Sequence, residues 1–86
     1  MTFREFENKS DEEVTKLVLG DQKYFTILVE RYQEKLYRYI SRISNFNEQE
    51  KEDILQDVFV KVYVNLNSFN SSLKFSSWIY RITRNE

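Results

Sequence analysis

The 86-residue chain has no cysteine, no histidine, no proline and a single glycine, Gly20. Each absence removes a class of chemistry. Without cysteine there is no disulfide framework, no thiolate zinc site and no sulfur nucleophile. Without histidine there is no Ser-His-Asp or Cys-His pair, and the commonest metal ligand is missing. One glycine cannot build a glycine-rich phosphate loop. No apolar run approaches the roughly 18 residues of a membrane-spanning helix, so no membrane partner is expected. The opening Met1-Thr2-Phe3-Arg4-Glu5-Phe6-Glu7 has no apolar signal core. The lack of cysteine suits a reducing, cytoplasmic location. Thirteen Lys and Arg against fourteen Asp and Glu give a net charge of −1 and a pI near 5.5. A simple basic nucleic-acid binder usually has a domain pI above about 9. No cofactor, no resident metal and no catalytic group is expected from this composition, although carboxylate chemistry remains open.

What is present is aromatic. Seven Phe, six Tyr and one Trp make up 16% of a chain that is 41% hydrophobic. A chain this short buries only about 60% of its unfolded surface, so its core must be dense in large side chains. With almost no breakers, an all-α fold is predicted: a compact bundle of four helices at about 11–19, 21–44, 48–66 and 73–86, with an ordered loop before the last. Ser10 with Glu13 forms a capping box ahead of Val14, Leu17 and Val18, and Gly20 occupies a C′ position. Asp21 is the cap of the second helix, with the stripe Phe25, Leu28, Val29, Tyr32, Leu36, Tyr39, Ile40 and Ile43. Asn47 with Glu50 caps the third, whose stripe is Ile54, Leu55, Val58, Phe59, Val62 and Leu66. Val58 to Val64 also alternates and would suit a strand, but the capping box and the continuing spacing favour helix. Phe75, Trp78, Ile79 and Ile82 face inward on the fourth. That pattern reaches Glu86 without a C-cap, so the chain is expected to be a fragment of a longer one. Residues 1–9 read as a tail and 10–86 as the domain.

Net charge hides the distribution. Residues 1–30 carry −3, residues 31–44 carry +3, residues 45–57 carry −4 and residues 58–86 carry +3. The acids Glu48, Glu50 and Glu52 support a helix N-terminus. Asp57 does not, because it lies further in, where Asp is a poor helix former. Asp53, Gln56 and Asp57 follow i, i+3, i+4 spacing, a polar strip suited to a basic protein partner or simply to solvent. Lys74, Arg81 and Arg84 mix with Ser77, Phe69 and the amides of the preceding loop. Such a set suits a single nucleic-acid strand, with phosphates on the cations and bases on the rings. It also suits a helix C-terminus with its dipole partners.

Residues 53–66 (Asp-Ile-Leu-Gln-Asp-Val-Phe-Val-Lys-Val-Tyr-Val-Asn-Leu), then Ser68-Phe69, then residues 75–85 (Phe-Ser-Ser-Trp-Ile-Tyr-Arg-Ile-Thr-Arg-Asn) resemble region 2 of bacterial RNA polymerase sigma factors, most closely the extracytoplasmic-function type. The resemblance extends upstream through Gly20-Asp21 and Phe25 to Tyr39, and so covers nearly all of residues 10–86. It implies a promoter-specificity domain for transcription initiation that performs no catalysis itself. In the family the Asp-x-x-Gln-Asp/Glu helix docks on the clamp helices of the polymerase β′ subunit, which implies Asp53, Gln56 and Asp57 here, with Lys61 beside them. The family's loop and last helix open the promoter −10 element and hold the non-template strand. That implies Asn67, Ser68, Phe69, Asn70, Lys74, Ser77, Arg81 and Arg84. RNA polymerase core and promoter DNA are the implied partners, with an anti-sigma protein covering the same faces in many members. Ser77 stands for the usual Thr, Ile79 for Leu and Thr83 for Ala. The loop lacks the family's common glycine, and the chain is expected to be a fragment that lacks the family's second, helix-turn-helix domain. Two rivals remain at this point. One is a helical protein-interaction module without DNA binding, anchored on Tyr24, Tyr63 and Tyr80. The other is a carboxylate-metal enzyme built on Glu48, Glu52 and Asp53.

Overall fold

A computed structural model describes residues 6–70 and 72–85. The first five residues of the predicted tail, Ser71 of the loop and Glu86 at the predicted end of the last helix lie outside the described residues. The fold is all-helical among the described residues, with α1 (Asp11–Gly20), α2 (Phe25–Ile43), α3 (Glu48–Asn65) and α4 (Phe75–Arg84).

Both predicted capping boxes form. Ser10 Oγ accepts from the Glu13 N–H at 3.1 Å, and the Glu13 carboxylate accepts from the Ser10 N–H at 2.9 Å. The bond from the Ser10 N–H, and then the Ser10 side chain, hold the Glu13 carboxyl below its usual range. Asn47 and Glu50 repeat the arrangement at α3, at 2.9 and 3.0 Å. The run 58–64 is helical, as the capping box and spacing indicate.

The helix boundaries shift where short-range hydrogen bonds intervene. Gly20 is not a left-handed C′ residue: no described residue has a positive φ, and Gly20 is the last residue of α1 itself. The chain leaves instead through extended Asp21, whose N–H reaches the Leu17 carbonyl at 2.9 Å. Asp21 then accepts from the Lys23 N–H at 3.1 Å. This two-residue reach tightens the entry into a 3-10 turn over Gln22–Tyr24, so α2 begins at Phe25 rather than 21. α3 likewise tightens into a 3-10 turn at Leu66–Ser68. Asn70 Oδ1 accepts from the Ser72 N–H at 3.0 Å, and the Leu73 N–H returns to the Asn70 carbonyl at 2.9 Å. That turn keeps Lys74 extended and delays α4 to Phe75.

The core follows the predicted stripes. Leu28, Tyr32 and Leu36 from α2 meet Val58 and Val62 from α3, Leu66 just beyond it, and Phe75 and Ile79 from α4, and Ile40 is buried further along α2. Val14 and Val18 bring α1 in. Ile27 is buried although it lies off the α2 stripe, because α1 packs there. Ile43, the predicted end of that stripe, is 54% exposed. Buried Thr83 satisfies its hydroxyl by donating to the Ile79 carbonyl at 2.8 Å. A chain of ring contacts crosses the α2–α4 seam and reaches the loop: Tyr39 to Tyr80 (5.2 Å), Tyr80 to Tyr32 (6.4 Å), Tyr32 to Phe75 (5.6 Å), Phe75 to Phe69 (5.6 Å) and Phe69 to Trp78 (4.9 Å). The first four are edge-to-face and the last is tilted; aromatic pairs add roughly 0.5–1.5 kcal/mol each beyond their buried area.

The first turn of α1 clips the bundle together. Asp11 Oδ1 accepts from Arg31 Nη1 at 2.9 Å, and Asp11 Oδ2 accepts from the Tyr32 hydroxyl. Arg31 Nη2 also donates to the Phe6 carbonyl at 2.9 Å, while the Phe6 ring packs on Tyr24 at 5.3 Å. Part of the predicted tail is therefore held against α2. The adjacent Glu12 carboxylate accepts the N–H of Phe75 at 2.6 Å. α4 has no cap from its own neighbourhood, and α1 supplies one.

Two outcomes are expected. Glu12→Ala leaves the first N–H of α4 without that partner and costs about 1 kcal/mol, a drop in melting temperature of roughly 4–8 °C. Glu12→Gln keeps an oxygen acceptor and retains most of it, as read by circular-dichroism melts. Burial, and then the Asp11 bond, raise the Tyr32 pKa well above the ordinary value of 10.0. Folding therefore favours the protonated phenol. This contribution is complete below about pH 10 and is lost as pH rises beyond it. The melting temperature should fall above that pH, and Tyr32→Phe should flatten that limb of the curve.

Candidate protein and nucleic-acid interfaces

The structure puts the four predicted docking residues on one helix face. Asp53, Gln56, Asp57 and Lys61 are all exposed on α3 at spacings of three and four. Asp53 Oδ1 accepts from Gln49 Nε2 at 3.0 Å, which pre-orients one carboxylate oxygen. Gln56 and Asp53 border a groove between α2 and α3 that Val29, Gln33, Gln49, Glu52, Leu55 and Phe59 complete. Glu30 and Glu34 extend its acidic wall along α2.

Two residues on this face escape a motif search. Val60 and Val64 are 57% and 67% exposed, and both fall in register with Asp53, Gln56 and Asp57. The signal was the alternation of residues 58–64. Wound into a helix, an alternating run cannot bury every valine; Val58 and Val62 turn in, and Val60 and Val64 turn out. The face is thus acidic at its start and apolar further on.

The second predicted set divides by role. Lys74, Ser77, Arg81 and Arg84 are exposed along one side of α4. Arg81 and Arg84 sit in its last turn, where the helix dipole favours cations. Asn67 and Ser68 are exposed in the 3-10 turn, with the Ser68 hydroxyl donating to the Asn65 carbonyl at 2.9 Å. Asn67 borders a recess formed with Leu19, Gly20, Tyr63 and Val64. Phe69 is half-buried between Phe75 and Trp78, and so anchors the loop to α4. Asn70 commits its side-chain oxygen to Ser72. Trp78 is half-buried in the same ring cluster, as its place in the apolar stripe indicates. Leu73, next to Lys74, is 59% exposed and was hidden in sequence by its place at a predicted helix start.

The rival readings fare differently. Tyr24 and Tyr80 are half-buried rather than free anchors. Tyr24 packs on Phe6, and Tyr80 on Tyr32 and Tyr39. Tyr63 packs on Phe25 at 5.1 Å and donates to Gln22 Oε1 at 2.7 Å, fixing α3 to the 3-10 turn before α2. Tyr63 remains exposed, whereas the partners that cover Tyr24 and Tyr80 lie far from them in sequence. Glu48, Glu52 and Asp53 do not converge: among the described residues no group of three or more carboxylates gathers at one point. No helix among the described residues is long and apolar enough to cross a membrane.

The family described as Sigma-70 region 2 matches residues 28–86. The chain is 44% identical over 66 residues to the ECF RNA polymerase sigma factor SigW of Bacillus subtilis, covering 77% of this chain and 35% of that protein. It is 39% identical over 72 residues to the ECF RNA polymerase sigma-E factor of Escherichia coli K12, covering 84% of this chain and 37% of that protein. The chain thus spans about a third of the length of these relatives. Among solved structures, an engineered region 2 of sigmaE in complex with GTAAAA superposes with a TM-score of 0.81 at 40% identity, over 92% of this chain and 82% of that one. A capped four-helix bundle with an aromatic-clasped loop, matched by sequence and by fold, places the chain in the sigma-70 region 2 family, in its extracytoplasmic-function branch.

Proposed function

We propose that this domain is the promoter −10 reader of a sigma factor. It docks through α3 on the β′ clamp helices of RNA polymerase and holds the non-template strand with the loop and α4. Residues 10–86 form the working unit, inside the cytoplasm, and the domain lends binding energy while polymerase performs the chemistry. The observation that carries the reading is the separation of two faces of opposite character. Asp53, Gln56 and Asp57 form an exposed acidic strip on α3, and Lys74, Ser77, Arg81 and Arg84 an exposed basic strip on α4. The similar region 2 of sigmaE, solved in complex with GTAAAA, supports a nucleic-acid partner for the second face.

The mechanism follows from what each face offers. A basic helical partner meets fixed carboxylates at the start of α3 and apolar Val60 and Val64 further along. On the other face, phosphates meet Lys74, Arg81 and Arg84. An extruded base meets Asn67, Ser68 and Leu73 on a loop whose position Phe69 fixes. Such contacts offset the few kcal/mol needed to unstack and unpair a base. An anti-sigma protein covering either face blocks the corresponding partner.

For docking, Gln56→Ala combined with Asp57→Ala should weaken capture of a β′ clamp-helix fragment by about 10- to 100-fold, with the melting temperature unchanged. Undiminished capture sinks the docking assignment. For the strand, a single-stranded GTAAAA oligonucleotide should bind more tightly than its duplex. Arg81→Gln with Arg84→Gln should lower that affinity and make its salt dependence shallower by about two charges. Equal affinity for strand and duplex overturns the strand-holding role.

A further inference from the structure

A second basic surface, on α2, is not absorbed by the docking strip or the loop. Arg31, Lys35, Arg38 and Arg42 recur at spacings of four, three and four, one cation per turn, about 5.4 Å apart along a single face. Arg31 is committed inward to Asp11 and the Phe6 carbonyl. The other three are exposed. Like charges at this spacing repel one another along a helix. Within residues 31–44 only Glu34 offsets them, through an exposed pair with Arg38. Among the described residues Lys35 and Arg42 have no ion pair, nor do Arg81 and Arg84 of α4.

The fold brings this stripe to the border of the α4 strip. α2 and α4 run in the same direction across their seam. Tyr32 meets Phe75 near the start of α4, and Tyr39 meets Tyr80 further along. Ile40, Ile43 and Ser44 then share a recess with Thr83 and Arg84 at its end. The Lys35 ammonium lies 5.5 Å from the centroid of the Tyr32 ring, at the seam itself. Residues 72–85 contain no acid, so nothing on α4 breaks the field between the two rows.

We propose that Lys35, Arg38 and Arg42 continue the DNA-binding surface from α4 onto α2. They form a track for the phosphate backbone of promoter DNA that contributes affinity without reading bases. The assignment rests on the proposed DNA-binding role of α4, and charge complementarity with a continuous phosphate chain selects the occupant. All three side chains are exposed, and their charge falls along a line rather than around a pocket. That suits a polyanion passing along the seam.

The test compares wild type with Lys35→Gln/Arg42→Gln in the full 86-residue chain. Affinity is measured for a single-stranded GTAAAA oligonucleotide, a scrambled strand and a duplex across a salt series. The double variant should bind all DNA forms more weakly, by about tenfold at ~0.1 M salt. Its plot of log affinity against log salt should be shallower by one to two charges, as expected for about two lost phosphate contacts. Its ratio between GTAAAA and the scrambled strand should be unchanged, and its melting temperature should match wild type. An unaltered salt slope overturns the track, and so does a changed sequence ratio. If wild type shows no preference for single strand, the strand-holding role of the loop and α4 fails by itself. The change in salt slope on duplex still decides the α2 track.

Discussion

The backbone N–H of Phe75 bonds to a carboxylate 63 residues earlier in the chain, and much of the architecture depends on that contact. α4 is only ten residues long, too short to hold itself together in water, and has no cap of its own. Glu12 completes its first turn. The neighbouring Asp11 grips Arg31 and Tyr32, so two successive carboxylates tie α1 to both α2 and α4. The ring chain from Tyr39 to Trp78 then fixes the rotation of α4, and with it the direction in which Ser77, Arg81 and Arg84 project. A domain this small gains rigidity along its last helix by letting its first helix brace it.

The two faces explain how a chain of net charge −1 is compatible with the DNA-binding role proposed for it. Acid is concentrated where α3 starts, and base along one face of α2 and along α4. A total near zero is the sum of surfaces of opposite charge, and the pI describes neither.

What was legible in sequence was local. Ser10 with Glu13 and Asn47 with Glu50 mark helix starts because a capping box spans three residues. The α3 strip was legible because one helix period placed Asp53, Gln56, Asp57 and Lys61 together. What was not legible depended on distant chain. Gly20 looked like a left-handed terminator, yet the extended backbone of Asp21 made it unnecessary. Ile27 is buried by α1 and Tyr80 by Tyr39, and neither neighbour is evident from spacing. Glu12 resembled one more acid in a first turn, and only the meeting of α1 with α4 gave it a second role. The loop was only partly legible. Phe69 read as a candidate stacking ring, and its clasp by Phe75 and Trp78 emerges only when α4 is in place.

The loop between α3 and α4 holds its shape through the Phe69 ring, the Asn70 oxygen and the Ser68 hydroxyl on the Asn65 carbonyl, on a described backbone without a positive φ. Its exposed residues Asn67, Leu73 and Lys74 carry no conformational duty that only glycine could meet. They form an exchangeable cassette on a fixed mount. Such a loop can drift through new side chains without passing through an unfolded intermediate. One scaffold can thereby present many different surfaces at this position at little cost in stability.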